Sequence, residues 1–248
     1  MADHTNRPLA GKTAFVTGGA KRLGKAAAIA LSKAGADVAI TFLRSAKEAQ
    51  QTAKLIESAG VRALAVPCDV TDPTSVREAI RLAARAFKRV DILVNNAGRY
   101  ETVDFDKLSI RQWDTIFDTN VRGPFLVSQQ ALPHLRKHNG RIINLGSLGG
   151  LRAWPTHAHY CSSKAALHML TKAMAKALAP EVAVNCVAPG MIDLGEKAAA
   201  GFMRRMSKQN PMQRNGTADD VAAAIMFFAT APHFITGQIL AVDGGLGL

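Results

Sequence analysis

Tyr160 and Lys164, four residues apart in the stretch YCSSK, and Ser147, thirteen residues before the tyrosine in GSLGG, are the side chains best suited to proton transfer in this sequence. A spacing of four puts the phenol and the ammonium on one helix face. A free tyrosine has a pKa of about 10, too high for efficient proton transfer near neutrality. Lowering it by about three units takes roughly 4 kcal/mol of differential stabilisation. A neighbouring ammonium in a partly dry cleft can supply much of that. The expectation is therefore a lowered Tyr160 pKa. Such a phenol suits general-acid work on an oxygen that gains negative charge, as in reduction of a carbonyl, with the Ser147 hydroxyl as a candidate second donor. Tyr-x-x-x-Lys alone is a common coincidence, so its weight depends on its surroundings.

Carbonyl reduction also needs a hydride source. The stretch TGGAKRLG, Thr17 to Gly24, lies between the apolar run TAFV and the Ala-rich KAAAIALSKAG. A strand, a glycine turn and a helix N-terminus form an anion site, because unpaired N–H groups and the helix dipole face one point. Gly18 and Gly24 keep the turn tight and the helix close. Arg22 stands where such loops usually carry another glycine. Its guanidinium either reaches the phosphates of a dinucleotide or is a solvated first-turn residue. The next strand ends in AITFLRSAKEA, where binders of the unphosphorylated cofactor place an acid for the ribose 2′-hydroxyl. Here Arg44 and Ser45 occupy the turn, and a cation with a hydroxyl suits a 2′-phosphate. The cofactor expected is NADPH/NADP+, each charge-assisted contact contributing about 1–3 kcal/mol.

The elements that must position these residues follow from hydrophobic pattern. Short apolar runs predict strands at Thr13–Thr17, Asp37–Phe42, Ala63–Val66, Asp91–Val94, Arg141–Leu145, Val182–Val187 and Ile239–Val242. Helical patterns fall near 22–34, 45–59, 73–88, 111–137, 156–179 and 217–230. Strands apolar on both faces, alternating with helices through short joints, predict an α/β fold. The architecture expected is a doubly wound (Rossmann-type) parallel sheet of about seven strands with helices on both faces. No linker or repeat divides the 248 residues, so a single domain is expected. Within 156–179, Tyr160, Lys164, Leu167, Met174 and Leu178 form one stripe. Ala158, Ala165, Met169, Ala173 and Ala177 form another. A helix apolar nearly all round is buried on more than one side: one side covers the sheet and the other is expected to meet another subunit.

Composition excludes several classes. Apolar residues are 48% and charged residues 20%, which fits a chain that buries a core. No apolar run reaches the ~18 residues of a bilayer span, and the start, MADHTNRPLAG, lacks the apolar centre of a signal peptide. Cys68, Cys161 and Cys186 are far apart in apolar contexts, as expected for reduced thiols in a cytoplasmic protein. The net charge of +12 comes from Lys and Arg scattered along helical segments, without a basic block or an aromatic ladder. That pattern argues against nucleic acid and for attraction of an anionic cofactor.

Further motifs occur in order. NNAG (Asn95–Gly98) follows the fourth strand, NVRGPF contains Asn120, NCVAPG contains Asn185, Pro189 and Gly190, and ITGQILAVDGG closes the chain. With the Ser147, Tyr160 and Lys164 set, the chain resembles the short-chain dehydrogenase/reductase family over essentially its whole length. The resemblance implies that Asn120 helps to hold a water linking Lys164 to solvent. It implies a cofactor site at Gly18, Lys21, Arg22, Leu23, Gly24, Arg44, Ser45, Asp69, Val70, Asn95, Ala97, Gly98, Tyr160, Lys164, Pro189, Gly190 and Ile192. Asp69 matches the position that contacts adenine, or else it caps the next helix. Asn95 matches the residue packed beside the cofactor, or else it stabilises the sheet. Relatives pair the Tyr160 helix across two-fold axes, implying a homodimer or homotetramer.

The substrate is less determined. The Arg22 loop and the RSA turn at Arg44–Ala46 resemble pteridine reductases, and Tyr100 fits their ring-stacking position. Those enzymes carry an aspartate where this chain has Ser147, so the serine favours carbonyl reduction to a secondary alcohol. MQRNGTADDVAAAI and ITGQILAVDGG fit 3-oxoacyl-carrier-protein reductases. However, Glu181 lies roughly where those enzymes place a basic docking residue. A substrate lid at about 191–210 carries Lys197, Arg204, Arg205 and Lys208, either compensating cations or a solvated helix face. Leu194 replaces a threonine that contacts the cofactor in many relatives. His157 and His159 are read as surface or substrate-mouth residues without an acidic partner, and no metal site is expected. A non-catalytic, dinucleotide-binding regulator is the alternative of a different class.

Overall fold

Seven apolar runs become seven strands of one parallel sheet: β1 Thr13–Val16, β2 Asp37–Phe42, β3 Ala63–Pro67, β4 Ile92–Asn95, β5 Arg141–Leu145, β6 Ala183–Pro189 and β7 Ile239–Val242. The computed structural model describes residues 7–248; residues 1–6, part of the polar N-terminal stretch considered above, lie outside it. Strand order is β3-β2-β1-β4-β5-β6-β7, and every neighbouring pair is parallel. β1, β4 and β6 are buried along their whole length, which is why they read as unbroken apolar runs rather than as alternation.

Eight α-helices are present among the described residues: α1 Arg22–Lys33, α2 Ala46–Glu57, α3 Pro73–Phe87, α4 Ile110–Phe117, α5 Gly123–Arg136, α6 Ala158–Leu178, α7 Ala200–Gln209 and α8 Ala218–Thr230. One core packs α1, α2 and α8 against the sheet through Ala28, Leu31, Ile56, Ile225 and Phe228. The other packs α3 and α5 through Val76, Ile80, Val127 and Leu135, with Ala175 of α6. None of the described helices is long and apolar enough to cross a membrane. Cys68, Cys161 and Cys186 are buried free thiols, as expected.

Two helical expectations are corrected. The single helix at 111–137 is interrupted by a wider π-turn at Asp118–Arg122. Pro124 has no N–H to give the Asn120 carbonyl, and the Gly123 N–H reaches back five residues to Asp118. Residues 191–210 also contain a helix, α7, that hydrophobic pattern did not indicate; it has no buried residue. On α6 the stripe containing Lys164 and Leu167 is buried, whereas Ala165, Met169, Ala173 and Ala177 are exposed.

Strand order reverses between β1 and β4. Their C-terminal ends therefore diverge and leave a crevice, the usual ligand site of such sheets. A cleft of about 850 Å³ occupies this place, walled by the ends of β1, β4, β5 and β6.

Candidate active site

The β1–α1 loop forms one wall. Gly18 adopts φ +63°, and its N–H donates to Thr41 Oγ1 at 3.2 Å. The Asn96 amide donates to the carbonyls of Thr17 (2.8 Å) and Gly18 (3.0 Å), tying β4 to the loop. A side chain at Gly24 would collide with the Asn96 amide and the Gly18 carbonyl, so this glycine is required by close approach. Lys21, at the N-cap of α1, makes no capping bond from its side chain. The helix N-terminus thus keeps its N–H groups for an anion.

Arg22 has φ +51°, a conformation that suits the glycine it replaces and strains any other residue. Its guanidinium lines the cleft and pairs with Glu196 across the groove at 2.5 Å. Lys21 also lines the cleft and pairs with Glu48, an acid in the first turn of α2, at 3.3 Å. Arg44 and Ser45 do not form the cleft wall; the adjacent Leu43 does. Arg44 is exposed, and Ser45 begins α2 without a capping bond from its hydroxyl.

Leu23, Asp69, Val70, Ala97, Gly98, Pro189, Gly190 and Ile192 line the cleft, and so does Leu194, which stands in the place of a threonine. Asp69 does not cap α3. Its carboxylate accepts from the N–H and hydroxyl of Thr71 at 2.9 and 2.7 Å, while Asp72 caps the helix through Thr74 and Ser75.

Asn95 corrects an expectation. It is buried away from the cleft, donating to Ser128 at 3.0 Å and Asn144 at 2.8 Å, so it holds the sheet to α5. The neighbouring Asn96 lines the cleft instead. Strand alternation makes the exchange: Asn95 ends β4 inside the sheet, and Asn96 begins the loop. The second asparagine of NNAG was the available signal.

Ser147, Tyr160 and Lys164 meet in the same cleft. The β5 end delivers Ser147, whose Oγ accepts from the Gly149 N–H at 3.0 Å and so keeps its own proton to donate. α6 delivers Tyr160 and Lys164. The Lys164 amine lies 5.9 Å from the Tyr160 ring centre and donates to the Leu145 carbonyl at 2.7 Å. Asn120, fully buried at the π-turn, bonds the backbone N–H and carbonyl of Arg99 and the Ser163 hydroxyl. It does not form the cleft wall, but its Oδ1 and the Lys164 amine both flank the open side of Gly98.

The lowered Tyr160 pKa, expected from Lys164 together with the positive charge of an oxidised nicotinamide, is not produced by Lys164 alone. Burial pushes Tyr160 up to about 12, and the Ser147 hydroxyl beside it offsets only part of that rise. Burial likewise brings Lys164 down to about 8. Desolvation outweighs the attraction expected from spacing, because the amine is turned toward a carbonyl rather than the phenol.

The outer end of the cleft is aromatic. Tyr100 stands edge-on to Tyr160, with ring centres 5.0 Å apart, and stacks on His157 at 5.1 Å. Its hydroxyl bonds His157 Nε2 at 2.6 Å, while Thr156 bonds Nδ1 at 3.0 Å. Trp154, Leu194 and, from α7, Phe202, Met203 and Met206 complete the mouth. Arg204, Arg205 and Lys208 are exposed, forming the solvated face of α7. His157 is thus a mouth residue, but His159 is not at the surface. It is fully buried, and Glu101 lies 3.9 Å away, an acidic neighbour supplied by folding rather than by sequence proximity. No cluster of potential metal ligands occurs among the described residues.

Comparison with known proteins agrees with this geometry. A family profile described as Enoyl-(Acyl carrier protein) reductase matches residues 18–247. The chain is 35% identical to the 3-oxoacyl-(acyl-carrier-protein) reductase FabG of Staphylococcus aureus, covering 95% of this chain and 98% of that protein. A short-chain dehydrogenase/reductase from Serratia marcescens superposes with a TM-score of 0.92 at 36% identity, covering 97% of this chain and 100% of the other. A blue fluorescent protein from a metagenomic library, solved in complex with NADPH, superposes with a TM-score of 0.91 at 34% identity and the same coverage. With its parallel seven-stranded sheet and its glycine loop over the strand-order reversal, this chain belongs to the short-chain dehydrogenase/reductase family of oxidoreductases.

Proposed function

We propose that the protein is an NADPH-dependent reductase converting a ketone to a secondary alcohol, built as one domain with a substrate lid over residues 191–210. The observation that carries this reading is the meeting of Ser147, Tyr160 and Lys164 in the cleft that the glycine loop also lines. The residues fit the dinucleotide: Gly24 lets α1 start hard against the Gly18 turn and Asn96, and the N-termini of α1 and α2 lack side-chain caps. Arg22 and the α1 N-terminus would hold its phosphates, and Arg44 with the α2 N-terminus its 2′-phosphate. The bound cofactor supplies the hydride.

Tyr160 donates its phenolic proton to the carbonyl oxygen as negative charge develops there. The Ser147 hydroxyl donates a second hydrogen bond to the same oxygen and fixes the face presented. Lys164, charged below pH of about 8, stabilises the phenolate left behind. Asn120 is assigned the retention of a water through which Lys164 recovers its proton from solvent. The aromatic mouth offers rings whose polar atoms already satisfy one another, so it suits an uncharged, apolar carbonyl compound.

A second reading, 3-oxoacyl-carrier-protein reduction, is supported by the FabG relatives and by the exposed Arg204, Arg205 and Lys208. The exposed Glu181 opposes it. Tyr100 at the mouth supports a flat heterocycle as a third substrate type. A steady-state panel of ketones, acyl thioesters and pterins with each cofactor tests all three. Equal rates with NADH overturn the cofactor assignment, and full activity in Tyr160→Phe overturns the mechanism. Tight cofactor binding without turnover would instead support the regulator.

The exposed small-residue stripe of α6 supports a homodimer or homotetramer.

A further inference from the structure

One buried titratable side chain beside the site is not used by this mechanism. His168 lies one helical turn beyond Lys164 on α6, continuing the row Tyr160, Lys164, His168, and is 4% exposed. Its ring does not enter the cleft. It sits behind Ser147, whose backbone N–H donates a long hydrogen bond of 3.4 Å to Nε2. The turn carrying Ser147 is moulded around this ring. A Cβ on Gly146 would strike the imidazole Nε2 and the Cys186 sulfur, and a Cβ on Gly150 would strike its Cε1. Both glycines are therefore places where backbone approaches the ring closely. Nδ1 is buried without a hydrogen-bond partner.

We propose that His168 is the positioning residue for Ser147: its neutral imidazole accepts the Ser147 N–H and wedges the Gly146–Gly150 turn against α6, so that the Ser147 hydroxyl is aimed at the oxygen Tyr160 protonates. The assignment rests on the carbonyl-reductase reading for what Ser147 does. Ser147 is then fixed at two points, its N–H by His168 and its Oγ by the Gly149 N–H, leaving only the hydroxyl proton to give. Neutrality is necessary, because a protonated imidazole would set N–H against N–H. Burial secures it, pushing His168 down to about 4. Lys164 and Lys172 on the same helix act in the same direction, against the Gly150 carbonyl. The Cys186 thiol facing the ring from β6 is itself pushed up to about 11 and adds no charge.

The test uses the full chain with His168→Leu, which removes the acceptor, and His168→Gln, which restores one. Two experiments are run: kcat and KM for reduction of a ketone, and hydrogen exchange of the Ser147 amide without cofactor. His168→Leu is expected to lower kcat by about 10- to 100-fold with NADPH affinity unchanged, and to speed Ser147 exchange. His168→Gln is expected to recover most of both. Wild-type kcat in His168→Leu, equal losses in the two variants, or unaltered Ser147 exchange each overturn the proposal. If the wild type reduces no ketone, the functional reading fails, and the exchange measurement alone decides the contact. Should His168→Leu not fold, His168→Met, flexible and lacking a nitrogen acceptor, takes its place with the same outcomes.

Discussion

The guanidinium of Arg22 pairs with the carboxylate of Glu196 at 2.5 Å, joining the first residue of α1 to the segment that follows β6. The side chains are 65% and 49% exposed, so the pair contributes at most about 1 kcal/mol. In the proposed cofactor site, a phosphate would displace Glu196 at little cost and gain a charge-assisted contact with Arg22. The left-handed backbone of Arg22 costs on the order of 1 kcal/mol. Arg22→Gly is expected to leave stability within about 1 kcal/mol of wild type, because relieved strain offsets glycine's added chain entropy. NADPH binding should weaken by about tenfold. A melting curve and a cofactor titration check this, and an unchanged NADPH Kd would identify Arg22 as a solvated helix start.

The two shifted groups on α6 fix an expected pH profile. Tyr160 stays protonated up to about 12, and Lys164 stays charged only below about 8. Reduction needs a protonated phenol and a charged amine together. kcat/KM for the ketone should be level below pH 8 and fall about tenfold per unit above it. In Lys164→Arg the descending limb should leave this range, because a guanidinium does not deprotonate there. A profile that instead rises through pH 8 would mean that the neutral amine is the working form.

The sheet was readable because its strands are buried on both faces. Asp37–Phe42, Arg141–Leu145 and Ile239–Val242 coincide with their expected bounds, and the other strands shift only at their ends. The four-residue spacing of Tyr160 and Lys164 and the glycine loop at Gly18–Gly24 were legible from the residues themselves, whereas Ser147 and most of the other cleft residues came through the ordered motifs of the resemblance. The errors have particular causes. A periodic pattern cannot show that Pro124 leaves the Asn120 carbonyl without a donor, so the π-turn was hidden. Asn95 and Asn96 are neighbours of the same type, and only the exact strand end separates a sheet residue from a cleft residue. Spacing gave the Tyr160–Lys164 pairing but not the burial that reverses the phenol's pKa. His159 and Glu101 are far apart in sequence, and they become neighbours only when the loop after β4, held through Gln112 of α4, packs against α6.

The stripe of Ala165, Met169, Ala173 and Ala177 leads to a prediction about assembly. Met169 is 63% exposed at its centre, and Phe125 on α5 is 43% exposed. Small residues along a long helix let a second helix approach closely, and an exposed methionine contributes apolar area to be covered. Wild-type protein should scatter light as a dimer or tetramer at micromolar concentration. Met169→Glu places a charge in the contact and should shift the mass downward. A monomeric wild type would refute the assembly, and an unshifted Met169→Glu would move the interface to another face.

His168 also sets an acid limit on stability. Its folded pKa of about 4 lies below the ordinary value of 6.5, so between these values the unfolded chain binds the proton more readily than the folded one. Stability supplied by the neutral ring is complete above pH 6.5 and is lost as pH falls toward 4. A difference of that size corresponds to roughly 3 kcal/mol across the window. Denaturant titrations of wild type and His168→Gln at pH 7 and pH 4.5 isolate the contribution, since the surface carboxylates are common to both. The wild type should lose more stability than His168→Gln over this interval. Equal losses would mean that the imidazole takes up its proton inside the fold, and His168 would then be no obligate acceptor for the Ser147 N–H.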